Sequence, residues 1–218
     1  MTVGQRALVI FDLDGTLFDA HRVTIPAVQQ TFAAHGLAVP GEVEIGSYIG
    51  RPAKEYHDWL SGLCSTGRVD EIIAETDRRE LALITDAGKP FPGVLDMLAA
   101  LRGMGCALAM SSNAPEDYFA EVLDTQGLRP FFQPALCRGT RFSSKTEMVD
   151  AILCEVSVRP FVVVGDRHDD IESARAHEGY AVAVSYGFGV PSELTEADAV
   201  VDSPAGIPAA VAELALRN

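Results

Sequence analysis

The sequence is poor in basic residues: it has 17 Lys and Arg against 31 Asp and Glu, which gives a formal net charge of -14. Nucleic acids and anionic membranes are bound through basic patches, so the composition argues against both as partners. The chain also lacks an apolar run near the roughly 20 residues of a membrane span, and its first ten residues lack a signal-peptide layout. We therefore expect a cytoplasmic protein.

Cysteine is also scarce, and the four residues (Cys64, Cys106, Cys137 and Cys154) form no C-x-x-C pair. Three of them stand in apolar surroundings, which predicts reduced thiols in the core and argues against a disulfide framework or a zinc site. The chain has 218 residues and is 48% hydrophobic, enough for one sizeable core and a small second lobe.

Short apolar runs alternate along the chain with helical patterns. The runs are residues 7–11, 106–110, 161–164 and 181–185, with weaker ones at 131–137 and 199–201. The helical patterns cover residues 93–104, 115–126, 146–156, 170–178 and 207–216. This alternation predicts an α/β fold, a Rossmann-like parallel sheet flanked by helices.

Residues 17–89 have a different texture, with amphipathic helical patterns and no convincing strand. The patterns cover residues 23–35, 53–63 and 69–84, and the stretch GKPFPG marks the return to the α/β pattern. We predict a core domain of residues 1–17 and 90–218 and an inserted α-helical cap domain of residues 18–89.

The first candidate site is the stretch FDLDGT, where an apolar strand ends in Asp12 and Asp14. Unpaired charges next to a buried strand destabilise a fold, so the presence of these two acids requires an explanation. On an extended segment they face the same side, roughly 7 Å apart, and Gly15 lets the backbone turn. An Asp-Gly hairpin is the alternative, but no alternating partner strand follows.

The second candidate is MSSNAPE, where another strand ends in Ser111, Ser112 and Asn113. Asn113 and Glu116 have the spacing of a helix-capping pair, which alone accounts for Asn113. A hydroxyl and free backbone N–H groups at such a junction also suit a phosphate oxygen.

The third candidate is Lys145 in SSKTE, where Ser144 and Glu147 have capping-box spacing. This places a cation at the first helical position, against the helix dipole. Lys145 is therefore either a tolerated surface residue or a cation that an anionic site requires.

The fourth candidate is GDRHDD, where a strand is followed by Asp166, Asp169 and Asp170. Asp166 and Asp170 share a face if the helix begins nearby, whereas Asp169 has the spacing of a cap. Ligands bind at the carboxyl ends of parallel strands, so these acids are expected to meet Asp12 and Asp14. Close carboxylates are either partly protonated or share a cation, and oxygen ligands without His or Cys point to Mg2+.

Together the four stretches DLDGT, MSSN, Lys145 and GDRHDD resemble, in order and spacing, the motifs of the haloacid dehalogenase superfamily, and within it the phosphoglycolate phosphatase-like group. The resemblance covers essentially the whole chain and implies a Mg2+-dependent phosphatase. Asp12 would be the nucleophile that forms an aspartyl-phosphate, and Asp14 the general acid and base.

The same resemblance assigns the remaining site residues. Mg2+ would be held by Asp12, the backbone carbonyl of Asp14 and Asp166, with Asp170 in support. The phosphoryl oxygens would be bound by Ser112 and Lys145 with help from Asn113, although Ser111 could replace Ser112. In the cap, Arg51 is the candidate contact to a substrate carboxylate or second phosphate; a solvated Arg in a Gly-Arg-Pro turn is the alternative.

The expected reaction is hydrolysis of a small anionic phosphate ester, with 2-phosphoglycolate as the family guess and a monomer or homodimer as the assembly. A pyrophosphatase or a nucleotidase is also compatible. A β-phosphoglucomutase-like enzyme is disfavoured because Ala20 and Thr24 replace the Thr and His of that group. Asp14 argues against a dehalogenase. A non-catalytic, partner-binding relative is the alternative of another class, although no motif residue is missing.

Overall fold

A computed structural model describes residues 5–64 and 67–216, which contain one six-stranded parallel sheet. The strands are β1 (Ala7–Phe11), β2 (Cys106–Ser112), β3 (Ala135–Cys137), β4 (Phe161–Gly165), β5 (Tyr180–Val184) and β6 (Ala199–Val201). Their spatial order is β3-β2-β1-β4-β5-β6, and every adjacent pair is parallel. The predicted α/β class is confirmed.

The helices are α1 (His21–Ala34), α2 (Glu42–Gly46), α3 (Ala53–Leu63), α4 (Val69–Asp86), α5 (Val94–Gly103), α6 (Glu116–Thr125), α7 (Lys145–Glu155), α8 (His168–Arg175) and α9 (Ile207–Val211). Helices α5, α6 and α9 cover one face of the sheet, and α7 and α8 cover the other. None of the helices in the described part of the chain has the length and apolarity of a membrane span.

The sheet is buried on both faces, which explains the continuous apolar runs in the sequence. In β1, Val9 and Phe11 face one apolar cluster, whereas Leu8 and Ile10 face the other. All five residues of β1 and all seven of β2 are buried. The two strands that precede the first two candidate motifs are therefore central, and their carboxyl ends lie side by side.

Helices α1 to α4 form a helical insertion between β1 and α5, with an apolar cluster of its own that includes Phe32 and Leu60. Helix α2 has no counterpart in the sequence prediction because five residues are too few to show a helical period. Helix α8 begins two residues earlier than predicted, since the Asp170 carboxylate accepts a hydrogen bond from the Arg167 backbone N–H at 3.1 Å. The division at residues 17/18 and 89/90 stays a prediction.

The cysteine prediction is only partly correct. All four thiols are free, but Cys106 alone is buried, Cys64 and Cys137 are half-buried, and Cys154 is exposed. Cys154 lies on α7, one position after the buried Leu153. Its apolar sequence neighbours lie on the other side of the helix, so a local hydrophobic average overestimates its burial.

Candidate active site

Four charged side chains meet at the carboxyl end of the sheet. Asp12 follows β1, Asp166 follows β4, Asp170 lies in the first turn of α8, and Lys145 opens α7. Carboxylate oxygens of the three aspartates lie within 4.8 Å of one another, and all three residues are buried. The structure thus brings together residues that are far apart in the sequence, since 158 positions separate Asp12 from Asp170.

Lys145 lies inside this group and is fully buried. Its Nζ lies 2.8 Å from Asp12 Oδ1 and 2.6 Å from Asp170 Oδ1, with Asp169 Oδ1 at 3.7 Å. The predicted cap also forms, because Ser144 Oγ accepts a hydrogen bond from the Glu147 backbone N–H at 3.1 Å. Of the two alternatives for Lys145, the surface position is wrong: the cation offsets buried negative charge.

The buried carboxyls are nevertheless poorly compensated. Burial raises the pKa of Asp12 to about 7; the nearby Asp166 adds to this, whereas Lys145 opposes it. Burial and Asp170 raise the pKa of Asp166 to about 6. Burial also raises the pKa of Asp170, again against Lys145. One ammonium group is therefore too little positive charge for three carboxylates.

One oxygen in this group has no protein partner. Asp12 Oδ2 is buried and accepts no hydrogen bond from any described residue. Asp166 Oδ2 accepts two, from the backbone N–H groups of Phe188 at 2.6 Å and Gly189 at 3.2 Å, which hold it in place. An orphan carboxylate oxygen among hard oxygen donors, without His or Cys, fits a magnesium ion.

Asp14 lies apart from the three clustered aspartates. The extended segment expected to run from Asp12 to Asp14 is wrong, because β1 ends at Phe11 and the chain then bends. Gly15 makes the predicted turn at a φ of 83°, and a Cβ there would lie 2.4 Å from Asp166 Oδ2. The hairpin alternative does not form, since both neighbours of β1 are parallel strands.

The carboxylate of Asp14 accepts a hydrogen bond from the Tyr118 hydroxyl at 2.9 Å. Burial raises the pKa of Asp14 to about 7, and this hydrogen bond opposes the rise. Tyr118 is a residue that the sequence analysis missed. It lies on the buried face of α6, where an aromatic residue is first read as core, and only its hydroxyl distinguishes it from Phe119.

The end of β2 adds hydroxyl and amide groups. Ser112 Oγ accepts a hydrogen bond from the Ala114 backbone N–H at 3.1 Å, whereas Ser111 Oγ is buried and has no partner among the described residues. The capping alternative for Asn113 is wrong, since α6 follows Pro115 and has no side-chain cap. Asn113 Nδ2 instead donates to Gly50 O at 3.0 Å and to Asp169 Oδ2 at 2.7 Å.

Asn113 and Arg167 join the core to residues 47–51 of the helical insertion. The Arg167 side chain, which is 7% exposed, donates to the Ser47 carbonyl at 2.9 Å and to the Phe188 carbonyl at 3.3 Å. Both core residues thus hold backbone carbonyls of this insertion loop. Arg167 stands inside the fourth motif, but nothing in its spacing reveals the partner, which lies 120 positions away at Ser47.

Arg51 lies in the same loop, at the edge of the site. Its Nε donates to Ser47 O at 2.8 Å, its Nη1 lies 3.6 Å from Glu55 Oε2, and its guanidinium lies over the Tyr48 ring. The side chain is 40% exposed. Arg51 therefore lies near the site, but its guanidinium group is already paired with groups of the insertion.

A cleft that is open to solvent extends from Asp14 between the core and the helical insertion. Asp14 and Tyr118 line its core side, and Tyr56, His57 and Glu80 are among the residues on its insertion side. The sequence analysis missed Glu80, although a signal was present. Glu80 follows Ile72 and Thr76 and precedes Ile84 on the buried stripe of α4, where an acid is out of place.

The chain was compared with known proteins. Residues 9–184 match the family of haloacid dehalogenase-like hydrolases. A phosphoglycolate phosphatase of Agrobacterium fabrum is 28% identical over 216 residues, covering 94% of this chain and 92% of that protein. One of Salmonella typhi is 30% identical over 223 residues, covering 89% and 88%.

Solved structures agree in fold. A haloacid dehalogenase-like hydrolase of Streptococcus pneumoniae superimposes with a TM-score of 0.82 at 21% identity, covering 96% of this chain and 99% of that one. The expected resemblance is thereby confirmed: this chain belongs to the family of haloacid dehalogenase-like hydrolases, and within it is similar to phosphoglycolate phosphatases.

Proposed function

We propose that this protein is a Mg2+-dependent phosphatase that transfers the phosphoryl group of a small phosphate ester first to Asp12 and then to water. The main support is the Asp12 carboxylate, which has one oxygen on Lys145 and the other buried without a described partner. This carboxylate lies next to Asp166 at the end of a central strand, and Lys145 fixes one of its oxygens. It can therefore act as a nucleophile while a cation binds beside it.

The residues that would hold Mg2+ are Asp12, Asp166 and the backbone carbonyl of Asp14, with Asp170 in a supporting position. The ion would supply positive charge against the phosphoryl oxygens and the clustered carboxylates. Asp170 is bound to Lys145 and to the Arg167 backbone, so its place is fixed on two sides. This restraint suits a residue that orients its neighbours.

In the first step an Asp12 oxygen attacks phosphorus, a P–O bond to Asp12 forms, and the P–O bond to the leaving group breaks. Asp14 gives its proton to the leaving oxygen, which departs as an alcohol. In the second step Asp14 takes a proton from water, whose oxygen attacks phosphorus, and the bond to Asp12 breaks. The raised pKa of Asp14, about 7, suits a group that both donates and accepts near neutral pH.

Positioning and charge neutralisation account for most phosphoryl-transfer catalysis. Lys145 is proposed to bind a transferring oxygen, and Ser112 to donate its hydroxyl hydrogen, since its oxygen already accepts from Ala114. Asn113 has its amide hydrogens on Gly50 and Asp169, so its proposed help is to keep the insertion loop over the phosphoryl group.

The proposal is tested by phosphate release from 4-nitrophenyl phosphate, 2-phosphoglycolate, sugar phosphates, nucleotides and pyrophosphate, with Mg2+ and with chelator. 2-Phosphoglycolate is the reference compound because relatives carry that name. Asp12→Asn should lower turnover at least about 1,000-fold, and Asp86→Asn, on the exposed end of α4, should not. Turnover that survives Asp12→Asn would overturn the assigned nucleophile.

A further inference from the structure

The leaving group has a defined place if the proposed function holds. Asp14 must reach the leaving oxygen, and the cleft that extends from Asp14 is bounded by the helical insertion. The alcohol part of the substrate therefore lies against the insertion side of this cleft. Which alcohols are accepted depends on the groups that this side presents.

Glu80 is the most deeply buried acid on that side, with 7% of its surface exposed. Its Oε1 accepts a hydrogen bond from the Tyr56 hydroxyl at 3.1 Å, and Thr24 also lines the cleft. Burial raises the pKa of Glu80 to about 7, and the charge of Asp77 adds to the rise. Burial of an ionisable carboxyl is unfavourable, so its presence on the wall of a cleft indicates a functional role.

The cations along the cleft are already paired. His57 Nε2 lies 3.1 Å from Asp77 Oδ1, and this hydrogen bond raises the pKa of His57. Arg51 is held by Glu55 and by the Ser47 carbonyl. Among the described residues that line the cleft, no cation lacks a carboxylate partner, so a carboxylate or second phosphate on the leaving group would meet Glu80 and Asp77 without compensation.

We infer that this cleft selects phosphate esters whose leaving alcohol carries a hydrogen-bond donor, a hydroxyl or an ammonium group, and no second anionic group, with Glu80 as the specificity-determining residue. This inference rests on the proposed function. It departs from the anionic ester expected from the sequence, because Arg51 is paired and a buried acid lies deeper in the cleft. Specificity here combines a favourable contact with a repulsive one.

The test compares kcat/KM at pH 8 for 2-aminoethyl phosphate, glycerol 1-phosphate and 2-phosphoglycolate, with 4-nitrophenyl phosphate as the reporter of the chemistry alone. We expect at least one donor-bearing ester to exceed 2-phosphoglycolate by about 10-fold or more. A preference for 2-phosphoglycolate, alongside turnover of 4-nitrophenyl phosphate, would overturn the inference and leave the proposed function standing. Inertness of all four compounds would overturn both.

Glu80→Gln provides the second arm, because Gln is isosteric and can still accept the hydrogen bond from Tyr56. Loss of the negative charge should raise kcat/KM for 2-phosphoglycolate about 10-fold. A simultaneous drop for 2-aminoethyl phosphate supports a contact between its ammonium group and the Glu80 carboxylate. The matched control is Glu71→Gln, an exposed acid on the same helix. Equal selectivity in Glu80→Gln and wild type would overturn the assignment of Glu80.

Discussion

The core side and the insertion side of the candidate site are built in different ways. On the core side, Asp12, Ser112 and Asp166 each lie at or just beyond the end of a strand. On the insertion side, Tyr56 in the first turn of α3 and Glu80 within α4 are held by contacts between helices. A strand end fixes its residue through the register of a whole sheet, whereas a helix-borne residue depends on how the helices pack. The residues proposed to carry the chemistry therefore lie on the more constrained side.

The largest effect that would sharpen this comparison is expected from Lys145→Met. The change leaves Asp12 and Asp170 buried without their cation, so turnover should fall by about 100-fold or more. The free energy of unfolding at pH 8 should also fall, by about 3–5 kcal/mol. Urea unfolding at pH 8 and pH 5.5 measures this, and the loss should shrink at pH 5.5, where the acids take up protons.

Lys54→Met is the control for this change, since Lys54 is 84% exposed and pairs with Asp58 along α3. It should alter the free energy of unfolding by less than about 0.5 kcal/mol. An equal loss in the two variants would show that Lys145 does not compensate the aspartates.

The second prediction concerns metal and pH. Asp12, Asp14 and Asp166 have pKa values raised from 3.8 to about 6–7 in the folded protein. Between these limits the folded state binds more protons than the unfolded chain, so without metal the free energy of unfolding falls as the pH rises from about 4 to about 7. Mg2+ should relieve this, raising Tm by roughly 5–10 °C at saturating concentration and pH 8, and by less at pH 5.5.

Differential scanning calorimetry with MgCl2 and with chelator measures this shift. Asp166→Asn should reduce it, since the variant removes a proposed ligand. A Mg2+ shift of the same size at both pH values, or one that survives in Asp166→Asn, would contradict the assigned cation position.

The third prediction concerns the contact by which Arg167 joins the core to the insertion loop. Arg167→Met removes the bonds to the Ser47 and Phe188 carbonyls, while the nucleophile and its cation stay in place. KM should rise about 10-fold with a smaller change in kcat, because the insertion loop loses its bond to Arg167 and keeps the one from Asn113 to the Gly50 carbonyl. Steady-state kinetics measure the split. Arg175→Met, at the end of α8 and bound to Glu196 and Asp198, serves as the control. A loss confined to kcat would show that Arg167 acts on the chemistry instead.

The smallest effect is expected from Arg51→Ala. Its guanidinium is paired within the insertion and 40% exposed, so the change should cost no more than about 0.5 kcal/mol of stability and alter KM less than about 3-fold. Parallel kinetics with 2-phosphoglycolate and glycerol 1-phosphate provide the measurement. A KM increase restricted to 2-phosphoglycolate would instead support Arg51 as the contact to a substrate anion.

The sheet and the group of charged residues at its edge could be predicted because they depend on local signals. The apolar run of residues 7–11 predicts the strand, and the acids that follow it indicate where the strand ends. Asp14 shows the limit of such signals. Its position in the sequence singles it out as a candidate site residue, but the chain bends after β1, and spacing alone does not reveal where its side chain lies. Arg167, Tyr118 and Glu80 depend on partners more than 20 positions away, which no periodicity encodes.

The chain enters and leaves the helical insertion at one place. The Asp19 backbone N–H donates to the Lys89 carbonyl at 3.0 Å, and the Phe91 N–H donates to the Leu17 carbonyl at 3.0 Å. Exit and entry are thus neighbours, and the sheet sets no limit on the length of chain between them. Replacement of the whole segment would therefore leave both of its attachment points at the sheet in place, and the side proposed to select the substrate could be exchanged without moving the proposed catalytic residues.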